Sequence, residues 1–522
     1  MRFLKVACVL AIALCVTGSV YAETQSVKVS GDLTMRGIYR NDYALISQED
    51  ENINTNASVT KVDSTNQSWA MTVAAVQVDA DLTDNVTTVI RMLNQRDWNV
   101  AVNRTTQTTD LTPNGRGGYL PTSEEFDVMV DLAYVQLKNF IYSPLTLTIG
   151  RQDLWFGKGF IIGANQQNPG NSALSYLEQI TGAGAMWNTT NTLVPGNLSA
   201  PEYTAMNSFD SVKAVLDYDP WTITGVYAII YEDSVQARDN VDLWGVNIGY
   251  KFNKMNGEAE GYWFYKADRQ INVTTDLKNS TNDVHTVGLR GSFDPINWLT
   301  LAGEGAVQGG EYVGNQHQNV SRGRLAMALD FSAEARYFTE KYSWKPKFGA
   351  EYVYYSGNKA EDEPRMATGT YHGWDSMYRG KYDSAIREFI GKFYQTARYP
   401  ARATYSQSCA DDSRTNQHQV IFLGSIQPMD SLTLKANYNL FWNDQAYLNS
   451  APTQGLGGTT YGQGFDKTLG FIGQELDLQA NWDYTEDVSF NLLAGWFVPG
   501  TVYYDGKADT ATDLVGSVKV SF

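Results

Sequence analysis

The side chains equipped for chemistry here are charged residues that recur at alternate positions. Lys28, Arg36, Arg91, Arg151, Arg290, Arg336, Lys435 and Lys519 are interspersed with Asp32, Asp79, Asp81, Glu304, Asp330, Glu334, Glu351, Glu475 and Asp477. In a strand, residues two apart share a face, so charges spaced this way line one surface. Such a surface can recognise a charged solute. It can equally be stiffened by cross-strand ion pairs, which is the simpler reading for any single residue. Nucleophilic chemistry has less to work with. The four histidines, His285, His317, His372 and His418, show no spacing from which a Ser/His/Asp arrangement can be read, so no catalytic residue and no enzyme is expected. No phosphate-binding loop, clustered Cys/His metal site or nucleotide fingerprint occurs, so no cofactor or metal is expected. A formal net charge of −17 argues against a nucleic-acid partner.

The elements that must position these charges are long amphipathic strands. LTLKANYNLFW sends Leu432, Leu434, Ala436, Tyr438, Leu440 and Trp442 to one side, and Thr433, Lys435, Asn437 and Asn439 to the other. IGQELDLQANWDY sets Ile472, Leu476, Leu478, Ala480 and Trp482 against Glu475, Asp477, Gln479, Asn481 and Asp483. Eighteen such segments can be counted, beginning near residues 27, 68, 86, 127, 144, 209, 221, 241, 257, 284, 297, 323, 346, 416, 431, 471, 487 and 511. Short connections such as Asp219-Pro220 alternate with long ones such as 157–208 and 358–415. Ten-residue strands with period-two polarity and short-long alternation predict an all-β fold: a single transmembrane antiparallel β-barrel. Its short turns would face the periplasm and its long loops the outside, which puts it in the bacterial outer membrane.

The rest of the chain fits that frame. MRFLKVACVLAIALCVTGSVYA reads as a signal peptide over 1–22, cleaved after Ala22, and leaves 23–522 as the barrel. Cys8 and Cys15 would depart with it, and Cys409 alone cannot form an internal disulfide. The final DLVGSVKVSF turns Leu514, Gly516, Val518, Val520 and Phe522 toward lipid. This strand is expected to pair with the first and close the barrel. Tyr218, Trp221, Trp244, Tyr250, Trp263, Tyr265, Tyr337, Tyr352, Trp482 and Tyr484 are placed on the outer face as interfacial girdles. The carboxylates of QEDEN (48–52) and EDE (361–363) suit loops lying beside lipopolysaccharide. The basic 358–415 connection, with Arg365, Arg379, Lys381, Arg387, Lys392, Arg398, Arg402 and Arg414, is long enough to fold inward as a constriction. A solvated surface loop is the simpler expectation there, and SMYRGKYDSAIREFIGKFY could carry a short amphipathic helix.

Two stretches resemble the alginate-export family of outer-membrane porins. One is LTLTIGRQDLWFGKGFIIG at 145–163, with Gly150-Arg151-Gln152 followed by Phe156-Gly157. The other is IGQELDLQANWDYTEDVSFNLLAGWFVPG at 472–500, with Gly473, Glu475, Leu476 and Asp477, then Trp496-Phe497-Val498-Pro499-Gly500. HGWDSMYRGKY at 372–382 is similar to a loop segment of that family. The resemblance implies an eighteen-stranded monomer conducting an anionic polysaccharide through arginines that meet uronate carboxylates. By that analogy Arg151 and Arg91 take the carboxylate contacts, since guanidinium suits bidentate capture, with Arg290 and Arg336 secondary. Glu475 and Asp477 would orient those arginines. A terminal Phe on such a strand looks like the signal read by the barrel-assembly machinery.

The function expected is a passive channel for a charged oligo- or polysaccharide of alginate type. The alternatives are a general small-solute porin and a receptor or adhesin acting through its outer loops.

Overall fold

The strands form because apolar and polar side chains alternate, and they are long because each must cross a bilayer with every backbone group paired. The computed structural model describes residues 25–42, 66–98, 106–108, 118–120, 128–164, 201–232, 240–252, 254–269, 282–313, 321–336, 339, 341–358, 369–380, 384–387, 415–445, 470–500 and 509–522. The proposed signal peptide, Cys409, His317, Tyr337, both acidic loop runs and much of 358–415 lie outside them.

The first strands are β1 (Ser26–Asn41), β2 (Asn66–Thr83) and β3 (Val86–Asp97), followed by a small hairpin of β4 (Thr106–Thr108) and β5 (Gly118–Leu120). Next come β6 (Met129–Leu137), β7 (Leu145–Gln152), β8 (Phe209–Tyr218), β9 (Trp221–Tyr231), β10 (Val241–Phe252) and β11 (Gly257–Asp268). The series continues through β12 (Asn282–Ile296), β13 (Leu299–Val313), β14 (Ser321–Ala335), β15 (Lys347–Tyr355) and β16 (Gln417–Met429). It ends with β17 (Leu432–Asn443), β18 (Phe471–Asp483), β19 (Val488–Pro499) and β20 (Ala511–Ser521).

Leaving the hairpin aside, eighteen strands pair in chain order as one antiparallel sheet, and β20 closes on β1 with Gly37 opposite Gly516 and Tyr39 opposite Leu514. Backbone bonds between Gly31 and Phe522 extend this seam by one residue. Every expected strand begins within two residues of its observed start. Short turns gather at one rim and long connections at the other, so the fold is the expected closed barrel.

The two faces separate as the alternation requires. Leu289, Val29, Val27 and Leu325 are 72%, 61%, 58% and 56% exposed, on an outer surface that suits hydrocarbon. Aromatic belts edge this surface. Trp221 packs on Tyr250 at 4.6 Å and Trp482 on Phe490 at 5.5 Å near the short turns. Tyr227 packs on Trp244 at 4.1 Å, and Tyr265 on His285 at 4.3 Å, near the long connections. Inside the barrel lies a second apolar region. Phe209, Leu243, Phe264, Val284, Ala328 and Tyr355 turn inward from β8 to β15 and are almost fully buried. Segments of the long connections cover them.

Candidate functional site

The lumen is the site, and what narrows it is built from connections that fold inward. After β7 the chain runs through Leu154, Phe160, Ile161 and Ile162, all buried against the inner wall together with Trp374, Met377 and Tyr378 from 369–380. The two segments zip together. Tyr378 N–H donates to Ile161 O at 3.0 Å, Gly163 N–H to Tyr378 O at 2.7 Å, and Gly380 N–H to Gly159 O at 2.9 Å. The approach is so close that a Cβ on Gly380 would lie 2.7 Å from the Gly163 Cα, so these positions demand glycine.

Polar contacts hold this collar to the wall. Lys266 Nζ of β11 donates to both oxygens of Asp375 at 2.7 Å. Gln308 of β13 answers the Asp375 backbone twice, accepting from its N–H at 2.9 Å and donating to its carbonyl at 2.7 Å. Burial would raise the Asp375 pKa, but Lys266 and Arg324 outweigh it and hold the carboxyl below its usual range. Arg324 of β14 donates to Gly373 O and Asn282 Oδ1, both at 3.1 Å. Tyr371 stacks on Tyr312 at 3.6 Å, with Arg322 and Arg324 beside the ring pair.

Two further segments dock elsewhere. Tyr203 and Met206 pack on Ile38, Met71, Leu93 and Val515, where Thr204 Oγ1 donates to Gln95 Oε1 at 3.0 Å and Glu202 pairs with Arg40. On β18, Glu475 accepts the backbone N–H groups of Ala385, Ile386 and Arg387 at 2.7, 2.9 and 2.8 Å. Asp477 lies 3.3 Å from the Ala385 nitrogen. The connection 358–415 therefore enters the barrel where it is described, rather than remaining a solvated loop. Residues 376–380 bridge to the neighbouring segment and are not helical, and within the stretch expected to carry a short helix the described residues are α-helical at Arg387.

The sequence-selected residues are placed differently from their expected roles. Arg151 is on the outer face. It stands opposite Ala133 and Asp210, on the side of Leu147 and Ile149, and bonds the exposed Asp210 carboxylate at 3.0 Å. The alternation of its own strand, with Leu145, Leu147 and Ile149 on that same side, accounts for the placement. Arg91 does face inward but is held by Asp32 at 3.1 Å and Asp131 at 3.2 Å. Arg290 is held by Glu258 at 2.5 Å and by Glu260. Arg336 is held by Asp294 at 3.3 Å and Thr300 at 2.5 Å. Glu475 and Asp477 do not orient these arginines; they anchor backbone.

The residues missed are those of the collar. LWFGKGFII (154–162) is too apolar for an exposed loop, and that was the available signal. Nothing in sequence spacing joins Lys266 to Asp375.

A sequence-family profile described as alginate export matches residues 198–517. No curated protein matches the sequence. Among solved structures the barrel is similar to Acinetobacter baumannii OccAB1, with 11% identity, 96% of this chain and 99% of that chain covered, and a TM-score of 0.49. It is also similar to Pseudomonas aeruginosa OpdK with vanillate, with 11% identity, 95% and 99% covered, and a TM-score of 0.45. Pseudomonas aeruginosa OpdL follows at 10% identity, 95% and 99% covered, and a TM-score of 0.46.

Proposed function

The chain belongs to the alginate-export family and is a barrel channel of the bacterial outer membrane, and on that premise we propose that its solute is an oligo- or polysaccharide carrying carboxylates. One observation supports this most. From β17 to β20 and on β1, the inward positions of the half nearer the short turns carry mainly amides, hydroxyls and lysines, such as Lys28, Thr433, Lys435, Gln479, Asn481, Asn491 and Lys519, beside Asp32, which Arg91 holds, and Asp483 at the rim. Amides and hydroxyls both donate and accept, which suits a polyhydroxylated solute in water, and lysines favour one that is acidic.

On this reading the collar narrows the end near the long connections, and the polar wall below meets the solute. The strands close on themselves within one chain, a monomer is the state proposed from the family, and lipopolysaccharide surrounds the outer rim. Insertion is assigned to the barrel-assembly machinery, and the segment 1–22 to export across the inner membrane.

The test is single-channel current of the refolded barrel with oligouronates of graded length, and neutral oligosaccharides of equal length as controls. Reversible blockades that lengthen with uronate length are expected. Steady open current with every saccharide would leave a general small-solute porin, and a barrel that never conducts would shift the function to the outer loops.

A further inference from the structure

Five neighbouring strands bring one polar row into register on the inner wall. Arg36 of β1 lies opposite Ser517 of β20, Ser517 opposite Asn491 of β19, Asn491 opposite Asn481 of β18, and Asn481 opposite Thr433 of β17. Directly paired residues of an antiparallel sheet point to the same face, so all five side chains face the lumen together. At about 4.8 Å per strand the row extends about 19 Å round the wall. It runs obliquely to the barrel axis because the strands tilt by about 35–45°.

Arg36 differs from four other inward arginines of the wall. Arg40, Arg91, Arg290 and Arg336 each meet a carboxylate. Arg36 lies 5.0 Å from the Tyr203 ring, and among the described residues it has no carboxylate partner. Its Nη1 is buried without a hydrogen bond among them. A guanidinium donor left in that state is costly unless something accepts from it. Lys519 is one residue pair toward the short turns, opposite Thr34 of β1 and Ser489 of β19, and is exposed to the lumen. Asp483 lies next along that lower row, opposite Ser489, at the rim.

We propose that Arg36, with Lys519 beneath it, is the carboxylate-binding end of a saccharide subsite whose neutral arm is Ser517, Asn491, Asn481 and Thr433. The inference rests on the saccharide reading above and assigns its acidic contact to a residue other than the four arginines first selected. The planar guanidinium takes a carboxylate in bidentate fashion, and Lys519 adds a second positive charge without a fixed geometry. The amides and hydroxyls along the row bond the ring hydroxyls of adjoining sugar units, and because they carry no charge they let the chain slide on.

The experiment compares blockade dwell times of wild type, Arg36→Gln, Arg36→Lys and Lys519→Gln for a uronate oligomer and a neutral oligomer of equal length. Barrel assembly is checked by heat-modifiable gel mobility. Arg36→Gln is expected to shorten the uronate dwell by about tenfold, the loss of a charge-assisted pair, and to leave the neutral dwell within about twofold. Arg36→Lys keeps the charge but not the fork and falls between the two. Lys519→Gln acts in the same direction more weakly, and carries the test should the Arg36 variants fail to assemble. Wild-type uronate blockades unchanged by all three substitutions would overturn the subsite and leave the saccharide reading standing. Equal shortening for both oligomers would overturn it as well, since that is a change of pore shape. No blockade in wild type would overturn the reading and the subsite with it.

Discussion

The inner wall from β8 to β16 and the inner wall from β17 through β20 to β1 are built by the same strand pairing, yet they end in opposite states. Over the first, the inward side chains near the long connections are an apolar cluster edged by Lys266, Gln308 and Arg324, and they are covered by the zipped segments 153–164 and 369–380, to which those three bond. Farther down, the charges there are matched, as in Arg290 with Glu258 and Glu260. The second wall keeps mainly amides, hydroxyls and lysines facing the lumen, and among the described residues only its upper part is covered, by 201–207 and 384–387. The difference teaches that a charged residue pointing into a barrel is not thereby available to a solute. An arginine between two carboxylates of adjacent strands has already spent its donors.

The largest effects should come from breaking the covered wall. Trp374→Ala removes a 4% exposed aromatic from the collar and is expected to weaken its docking by about 3–5 kcal/mol while the barrel persists. The measurement is open-channel conductance, expected to rise, together with protease cleavage within 369–380. Lys266→Met comes next, because it leaves the buried Asp375 carboxylate without its cation, a loss of about 3–5 kcal/mol for a broken buried pair. Adding Asp375→Asn to that variant should recover part of it.

The same pair predicts a pH dependence. With the Asp375 pKa held below its usual range in the docked state, the pair's contribution is complete above the ordinary carboxylate pKa. It is lost as pH falls through the lowered value. Conductance in acid should therefore rise in wild type, and this component should be missing from the Lys266→Met, Asp375→Asn double variant.

Smaller changes sharpen the contrast from the other side. Glu475→Gln keeps the shape but replaces one of the two carboxyl oxygens that accept three N–H groups, and should loosen 384–387 by about 1–3 kcal/mol, seen as added current noise. Arg151→Gln is expected to do least. Its ion pair with the exposed Asp210 is worth about 0–1 kcal/mol, and uronate blockades should be unaffected. A large change in blockade from Arg151→Gln would return the outer-face arginine to the solute path and undo the comparison.

The sequence by itself determined the barrel. A period of two over ten or more residues leaves no choice of face, and a one-residue slip would put every apolar side chain into water. Leu432 to Trp442 and Leu514 to Val520 therefore point outward as read, and the seam of β1 with β20 follows from the need to leave no open edge in lipid. Arg151 belongs to the same legible part, since Leu145, Leu147 and Ile149 already fixed its face. Only the tertiary structure decided which inward charges are satisfied and where the lumen narrows. Asp32, Arg91 and Asp131 come from three strands, and Lys266 and Asp375 are 109 residues apart, so their meeting depends on strand register and loop docking. Alternation says which way a side chain points. What it meets there is set by neighbours that are distant in the chain and 5 Å away across the sheet, a spacing that comes from pairing and not from order.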